Sequence, residues 1–92
     1  MSVLSAEEVE SRLGNLAGWQ VEAGELVRTF QFADFRAALR FVNAVGELAE
    51  QAGHHPDIDI RYNRVRLALV THDAGGLTAK DFDLAGEAST LA

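Results

Sequence analysis

"FRAALRFVNAVGELAEQAGHHPDIDIRYNRVRLALVTH" (residues 35–72) changes from a helical to a strand pattern, and this change decides the fold. Apolar side chains recur three and four residues apart in its first half, which predicts an amphipathic helix over residues 35–52. The apolar stripe of this helix comprises Phe35, Ala38, Leu39, Val42, Val45, Ala49 and Ala52. Asp34 can cap the start of the helix, and Gly53 with Pro56 shortly after it is typical of a helix end.

The strand pattern that follows predicts a hairpin whose register can be worked out. Residues 57–62 and 65–72 are joined by Asn63-Arg64, a two-residue loop in which Asn tolerates positive φ. Closure there places three apolar pairs on one face, namely Tyr62 with Val65, Ile60 with Leu67 and Ile58 with Leu69. Extension of the same ladder places His55 opposite His72, although Pro56 can interrupt the pairing. We therefore expect all three histidines of the chain at one end of this hairpin.

The rest of the chain supplies a helix and a hairpin before this stretch and a helix after it. Ser5 and Glu8 have the spacing of a capping box, and Val9, Leu13 and Leu16 continue at helical intervals. A first hairpin is predicted from residues 19–22 and 26–32 with a turn at 23–25. Thr78 and Asp81 repeat the capping-box spacing at the start of a last helix, which carries Phe82, Leu84, Ala85 and Ala88.

The order of these elements is α-β-β-α-β-β-α. It predicts an α+β fold, in which a four-stranded antiparallel sheet carries three helices packed on one face. Ninety-two residues leave no room for a second core, so we expect one domain over residues 1–92. Phe41 and Leu48 widen the apolar face of the long helix, which indicates a second surface to cover, either a neighbouring element or another subunit.

Charge and composition exclude several classes of function. The net charge of −6 argues against a nucleic-acid partner, because phosphate binding needs clustered Lys and Arg. The chain has no cysteine, hence no disulfide, thiolate ligand or cysteine nucleophile. No apolar run approaches the roughly 20 residues that cross a bilayer. The first residues show no secretory pattern, so we expect a cytoplasmic protein with no membrane partner.

Two imidazoles on either side of a small substrate can remove one proton and donate another. His54, His55 and His72 therefore indicate an acid–base site for an elimination, hydration or tautomerisation. Other interpretations stay open. A histidine after a helix end can serve the helix dipole, and three histidines can bind zinc. Adjacent side chains in extended chain point to opposite sides, however, so His54 and His55 do not easily share one ion.

Two carboxylates near these histidines have equally simple structural explanations. Asp81 stands at the N3 position of the last helix, where a carboxylate completes the cap. Glu50 lies on the polar face of the long helix, where a solvated carboxylate is the default.

The spacing of Glu50, His54-His55-Pro56, Tyr62, His72 and Asp81 resembles the signature of the pterin-4a-carbinolamine dehydratases, and the flanking "YNRVRLALVTHDAGGLTAKD" is similar to that family too. The resemblance covers essentially the whole chain. It implies the α+β fold above, assembly into homodimers or homotetramers, and dehydration of 4a-hydroxytetrahydropterin to quinonoid dihydropterin during recycling of tetrahydrobiopterin-type cofactors. The pterin is then the substrate, with no separate cofactor and no metal.

The same resemblance assigns roles to individual residues. It makes His54 and His72 the catalytic acid–base pair. The substrate-binding residues are then His55, Asp81 and Glu50, and Asp81 also supports the site. Ile58 departs from the pattern, because many relatives have Trp at this position. An aromatic wall against the pterin is therefore missing here or supplied by another residue.

Two other functions are compatible with this resemblance. Some members of the family resemble dimerisation cofactors for transcription factors, which would make the chain an interaction module that uses an exposed apolar helix face. The chain could also serve molybdopterin metabolism rather than recycling after aromatic amino-acid hydroxylation.

Overall fold

The computed structural model describes residues 2–92, and its elements follow the predicted order. The helices and strands are α1 (Ala6–Leu13), β1 (Gln20–Glu22), β2 (Glu25–Gln31), α2 (Phe35–Ala52), β3 (Asp57–Arg61), β4 (Arg64–Leu69) and α3 (Ala79–Ser89). The strands form one antiparallel sheet in the order β1-β2-β4-β3, and the helices pack on one of its faces. The predicted α+β fold is confirmed.

The core lies between the central strands and the two longer helices. Alternate side chains of β2 and β4 face the helices and are at most 4% exposed, namely Leu26, Phe30, Val65, Leu67 and Leu69. Phe41 and Val45 of α2 and Phe82 and Leu84 of α3 pack against them. No residue of α1 is buried, and its Val9 and Leu13 only cover the margin of the core. Helices α2 and α3 are therefore the elements that the core holds most firmly against the sheet.

The predicted caps define where the helices begin and end. The Ser5 hydroxyl accepts the Glu8 N–H at 3.1 Å, and the Glu8 carboxylate accepts the Ser5 N–H at 2.9 Å. The bond from the Ser5 backbone, followed by that from its hydroxyl, lowers the pKa of the Glu8 carboxyl. Asp34 caps α2 by accepting the Ala37 N–H at 2.8 Å. Gly53 ends α2 in the left-handed conformation, with a φ of 62°.

The predicted register of the second hairpin is wrong by two residues. The observed pairs between β3 and β4 are Asp57 with Ala68, Ile58 with Leu67, Asp59 with Arg66, Ile60 with Val65 and Arg61 with Arg64. The loop is therefore Tyr62-Asn63 rather than Asn63-Arg64. A shift by an even number preserves the alternation of side chains, so Ile58 and Ile60 still lie on the face that carries the core residues of β4.

A tertiary contact explains why the turn closes one residue early. The Asn63 side-chain amide donates to the Phe32 carbonyl at 2.9 Å, and the Asn63 carbonyl accepts the Phe32 N–H at 2.8 Å. These two bonds hold Asn63 beside the end of β2. Tyr62 then has to take the left-handed conformation, with a φ of 52°, which the sequence alone would assign to Asn63.

The widened apolar face of helix α2 is covered by neighbouring elements of the same chain, the first of the two predicted alternatives. Phe41 is 3% exposed and packs between Phe30 and Phe32, and Leu48 is half-buried against the core. Phe35 and Leu39, expected in the core stripe, are 46% and 37% exposed.

Several predicted boundaries also differ from those observed. Strand β4 ends at Leu69 rather than at His72, α1 ends at Leu13, and the first hairpin turns on Ala23-Gly24 alone. Within residues 2–92, no helix combines the length and apolarity needed to span a membrane.

Candidate active site

Three segments from distant parts of the sequence meet beside one end of the sheet. The chain leaves α2 through His54 and His55, passes His72 just after β4, and enters α3 at Ala79. Between them lies an open cavity of about 250 Å³, whose lining consists of Gly53, His54, His55, Val70, Thr71, His72, Asp73 and Lys80. The predicted meeting of the three histidines is therefore confirmed, although the ladder does not extend to them.

His54 is the most enclosed of the three histidines. Its backbone N–H donates to the Ala49 carbonyl at 3.1 Å, which ties it to the last turn of α2. Its side chain is 11% exposed, and its Nε2 lies 2.5 Å from Oδ1 of Asp81, which is fully buried. An ionised carboxylate can only accept, so Nε2 carries the proton and Nδ1 is the nitrogen left for another partner.

The second oxygen of Asp81 is bound from two sides. Oδ2 accepts the Thr71 hydroxyl and the Thr78 N–H, each at 2.9 Å. The Thr71 and Thr78 hydroxyls also contact each other at 2.8 Å. Asp81 thus occupies the predicted capping position of α3 and contacts a histidine as well. Asp81 therefore makes the capping contact with Oδ2 and the histidine contact with Oδ1.

His55 forms a second histidine–carboxylate pair, in a much wetter setting. Its Nε2 lies 2.5 Å from Oε2 of Glu50, and the two side chains are 61% and 73% exposed. Glu50 is on the exposed face of α2, as predicted, and lies outside the cavity lining. Glu50 therefore meets the cavity only through its contact with His55.

His72 is exposed on a short loop whose neck is closed by backbone bonds. The Thr71 N–H donates to the Gly76 carbonyl at 3.2 Å, and the Gly76 N–H donates back at 3.4 Å. Within residues 2–92, no hydrogen bond reaches the His72 ring. Both of its nitrogens are therefore open to solvent or to a molecule in the cavity.

The residue pattern did not single out three further side chains of the lining. Lys80 and Asp73 add one cation and one anion to the cavity, and Thr71 lines it while its hydroxyl bonds Asp81. Lys80 directly precedes Asp81 at the start of α3, and Thr71 directly precedes His72. Adjacency to predicted site residues was the only signal for them in the sequence.

Two other features bear on the choice of this site. No group of three or more His, Asp or Glu side chains among residues 2–92 has the arrangement of a metal site. A larger groove, of about 490 Å³, lies between α1 and the first hairpin, but Glu10 is the one ionisable side chain in its lining. Paired acid–base groups are therefore found in the histidine cavity rather than in this groove.

Comparisons with known proteins find relatives that match almost the whole chain. Residues 2–91 match the family described as Pterin 4 alpha carbinolamine dehydratase. A relative from Acidobacterium capsulatum whose name is that of the same family is 60% identical over 99% of both chains. The crystal structure of a transcriptional coactivator/pterin dehydratase from Brucella melitensis superposes with a TM-score of 0.95 over 99% of both chains, at 34% identity.

A more distant solved structure shares the fold. It is a pterin dehydratase-like protein described as a RuBisCO assembly factor in the alpha-carboxysome, with a TM-score of 0.65 at 23% identity. That match covers 79% of this chain and 84% of the other. The family match over nearly the whole chain, together with the 60% identical relative, shows that this chain belongs to the pterin-4-alpha-carbinolamine dehydratase family.

Proposed function

We propose that the chain removes water from 4a-hydroxytetrahydropterin and releases quinonoid dihydropterin, in the recycling of tetrahydrobiopterin-type cofactors. The observation that carries this proposal is the cavity in which His54 and His72 meet, with His54 bound to buried Asp81. Such a cavity offers two imidazoles in different environments, one fixed and one open to water. That difference suits an elimination, in which one group takes a proton and another gives one.

We assign the base to His54 and the acid to His72. The Nδ1 of His54 takes the N5 proton of the pterin, while the imidazolium of His72 protonates the 4a-hydroxyl. The C4a–O bond breaks, water leaves, and the N5 electron pair closes the C4a–N5 double bond. His72 regains its proton from solvent, to which it is exposed, and His54 returns its proton to water after product release.

The carboxylates then act through the histidines rather than on the pterin. Asp81 is fully buried behind His54, so it orients the ring and stabilises the imidazolium that forms there. Glu50 holds His55 at the rim, and His55 is left to bind the pterin through Nδ1. The Glu50–His55 pair is exposed, so solvent screens it and its contribution is to placement rather than to stability.

Ile58 stands where many relatives have an aromatic residue, and it does not line the cavity. Its presence therefore leaves the arrangement of the histidines intact. Val70 is the one large apolar side chain in the lining. We therefore propose that the pterin ring rests against Val70 and is otherwise held by polar contacts. A pterin ring without an aromatic partner binds more weakly than a stacked one, so we expect a higher KM for the pterin with little change in kcat.

A dehydration assay on 4a-hydroxytetrahydropterin tests the proposal. Wild type should accelerate the loss of water, and His54→Ala and His72→Ala should each lose about 10²–10⁴-fold of that acceleration. Gln51→Ala is the matched control, because Gln51 is exposed on the last turn of α2 and does not line the cavity. If both alanine variants keep the wild-type rate, histidine catalysis is rejected.

We also propose that the chain forms a homodimer through β3. This strand is the longer of the two edge strands of the sheet, β1 being the other, and unpaired edge strands are sites of association. Ile58 and Ile60 are each 37% exposed along it. Phe35, Leu39 and Tyr62 line an adjoining groove of about 510 Å³ at the start of α2. A second copy paired antiparallel across a two-fold axis would cover this edge and bring two such patches together.

The mass in solution, measured by light scattering, tests the dimer. Wild type should have twice the chain mass or a multiple of it, and Ile60→Lys should shift it toward the single chain. Gln31→Lys, on an exposed position of the interior strand β2, is the control for added charge. A monomeric wild type would favour a different covering for the edge, such as the protein partner of an interaction module.

A further inference from the structure

We propose that Thr71 is a positioning residue for the dehydration. It fixes the Asp81 carboxylate in the one orientation that holds the proton on Nε2 of His54. This inference rests on the function proposed above for the same cavity. It starts from the 2.9 Å bond that the buried Thr71 hydroxyl donates to Oδ2 of Asp81.

The hydrogens of this network can be assigned completely. An ionised carboxylate only accepts, so Asp81 takes Nε2–H of His54 on Oδ1 and two donors on Oδ2. Thr71 has a single hydroxyl proton, which goes to Asp81. The 2.8 Å contact between the two threonine hydroxyls therefore has Thr78 as its donor. In the resulting hydrogen-bond network, Thr78 donates to Thr71 and Thr71 donates to Asp81. Each polar hydrogen of the network has one acceptor.

The three residues of this hydrogen-bond network are buried, so each donor and acceptor has to find its partner within the protein. Thr78 and Asp81 are 0% exposed, Thr71 is 8% exposed, and no buried side-chain nitrogen or oxygen among the described residues lacks a partner. Water cannot readily replace a missing donor at such a site. Without the Thr71 hydroxyl, Oδ2 keeps only the Thr78 N–H, and the carboxylate is free to rotate away from His54.

The position of Thr71 in the chain adds a second constraint. Its backbone closes the loop neck with Gly76, so its side chain has a fixed origin. His72 is the next residue. One residue therefore holds the partner of the proposed base through its side chain and carries the proposed acid on its backbone.

A pair of variants separates the hydroxyl from the shape of the side chain. Thr71→Val keeps nearly the same shape and removes the donor, whereas Thr71→Ser keeps the donor and removes a methyl group. In wild type, ¹⁵N NMR should show neutral His54 with its proton on Nε2, and Thr71→Ser should preserve this tautomer. Thr71→Val should populate the Nδ1–H tautomer and lower kcat about ten-fold, with KM changed less than about two-fold, because one net hydrogen bond is lost.

Ser89→Ala is the control for lost stability. It removes a hydroxyl that bonds Trp19 and Ala85 at the far end of α3, away from the cavity. It should lower the unfolding midpoint without altering the His54 tautomer or kcat. If Thr71→Val leaves both readouts at wild-type values, the positioning role is rejected.

Two further measurements keep the outcome decisive. Should Thr71→Val not fold, Thr71→Cys compared with Thr71→Ser decides, because a thiol of similar size is a much weaker donor. The NMR readout does not depend on activity. An inactive wild type would overturn the proposed function, while the tautomer of His54 would still decide the role of Thr71 in the network.

Discussion

Nε2 of His54 and Oδ1 of Asp81 are 2.5 Å apart, and the carboxylate in this pair is fully buried while the imidazole reaches the cavity. The aspartate also accepts the N–H of Thr78, the residue that caps the start of α3. One side chain therefore joins the start of a helix to a proposed catalytic base, so changes at Asp81 should affect stability and activity together.

Asp81→Asn is expected to lower kcat by about 10²–10⁴-fold, because a positioned general base contributes a rate acceleration of this size and the variant would leave the base wrongly oriented. If the introduced amide kept its oxygen toward His54, its NH₂ group would meet the Thr78 N–H, donor against donor. If the amide flips, its NH₂ group meets Nε2 and forces the other tautomer. Steady-state kinetics checks the loss, with Asp83→Asn on the exposed face of the same helix as control. A variant with normal kcat would mean that Asp81 is only a cap.

Glu50→Gln should change stability by less than about 0.5 kcal/mol, because both members of the Glu50–His55 pair are exposed. Its effect should fall on KM for the pterin, raised a few-fold as His55 loses its fixed orientation. Urea unfolding and steady-state kinetics on the same preparation separate the two effects. A fall in kcat with unchanged KM would instead place Glu50 in the chemical step.

The capping box of α1 should make stability depend on pH in the acid range. The Ser5 bonds lower the pKa of Glu8 below its ordinary value of 4.5, so they favour the ionised form in the folded chain. Their stabilisation is therefore complete above about pH 4.5 and is lost as the pH falls through the lowered folded pKa.

Urea unfolding of wild type and Glu8→Gln across this range checks the sign. The stability advantage of wild type should be largest near neutral pH and should shrink in acid. Glu7→Gln, in the same first turn, controls for charge near the helix start. An advantage that grows on acidification would contradict the assignment.

Ala23→Asn should stabilise the fold by about 0.5 kcal/mol, since Asn tolerates the left-handed conformation better than Ala does. Ala23 has a φ of 51° and is followed by Gly24 with a φ of 80°, the pattern that Asn-Gly suits best. Thermal unfolding checks the gain, and Gly24→Ala should have the opposite effect. Dehydration activity should not change, because this turn does not contribute to the histidine cavity.

Local patterns predicted the elements, and tertiary contacts decided their details. The caps at Ser5, Asp34 and Gly53 follow from spacing alone, because each bond spans a few residues. The register was wrong because Asn63 is held by Phe32, which lies 31 residues away and has no local signal. Phe35 and Leu39 fitted the apolar stripe but are exposed in the first two turns of α2, a difference that the spacing of apolar residues does not show.

For the candidate site, too, local patterns predicted which residues come together but not the tertiary contacts between them. Alternation and the helix stop brought the three histidines together, even in the wrong register, since an even shift keeps side chains on their faces. The buried link from Thr71 to Asp81 could not be predicted, because it depends on how closely α3 packs beside the end of β4. Lys80 gave no pattern of its own.

Backbone hydrogen bonds between Thr71 and Gly76 close the neck of the loop that they enclose. The positions of the site residues outside this loop therefore do not depend on how long it is. The side-chain hydrogen bonds of Thr71 and Thr78 do not involve residues 73–75. Extra residues inserted within 73–75 would therefore lengthen the loop without moving Asp81 or His54. Loop closure costs little for each added residue. Residues 73–75 are therefore a tolerant part of the sequence, a place where a tag or a sensor peptide can be inserted beside the cavity.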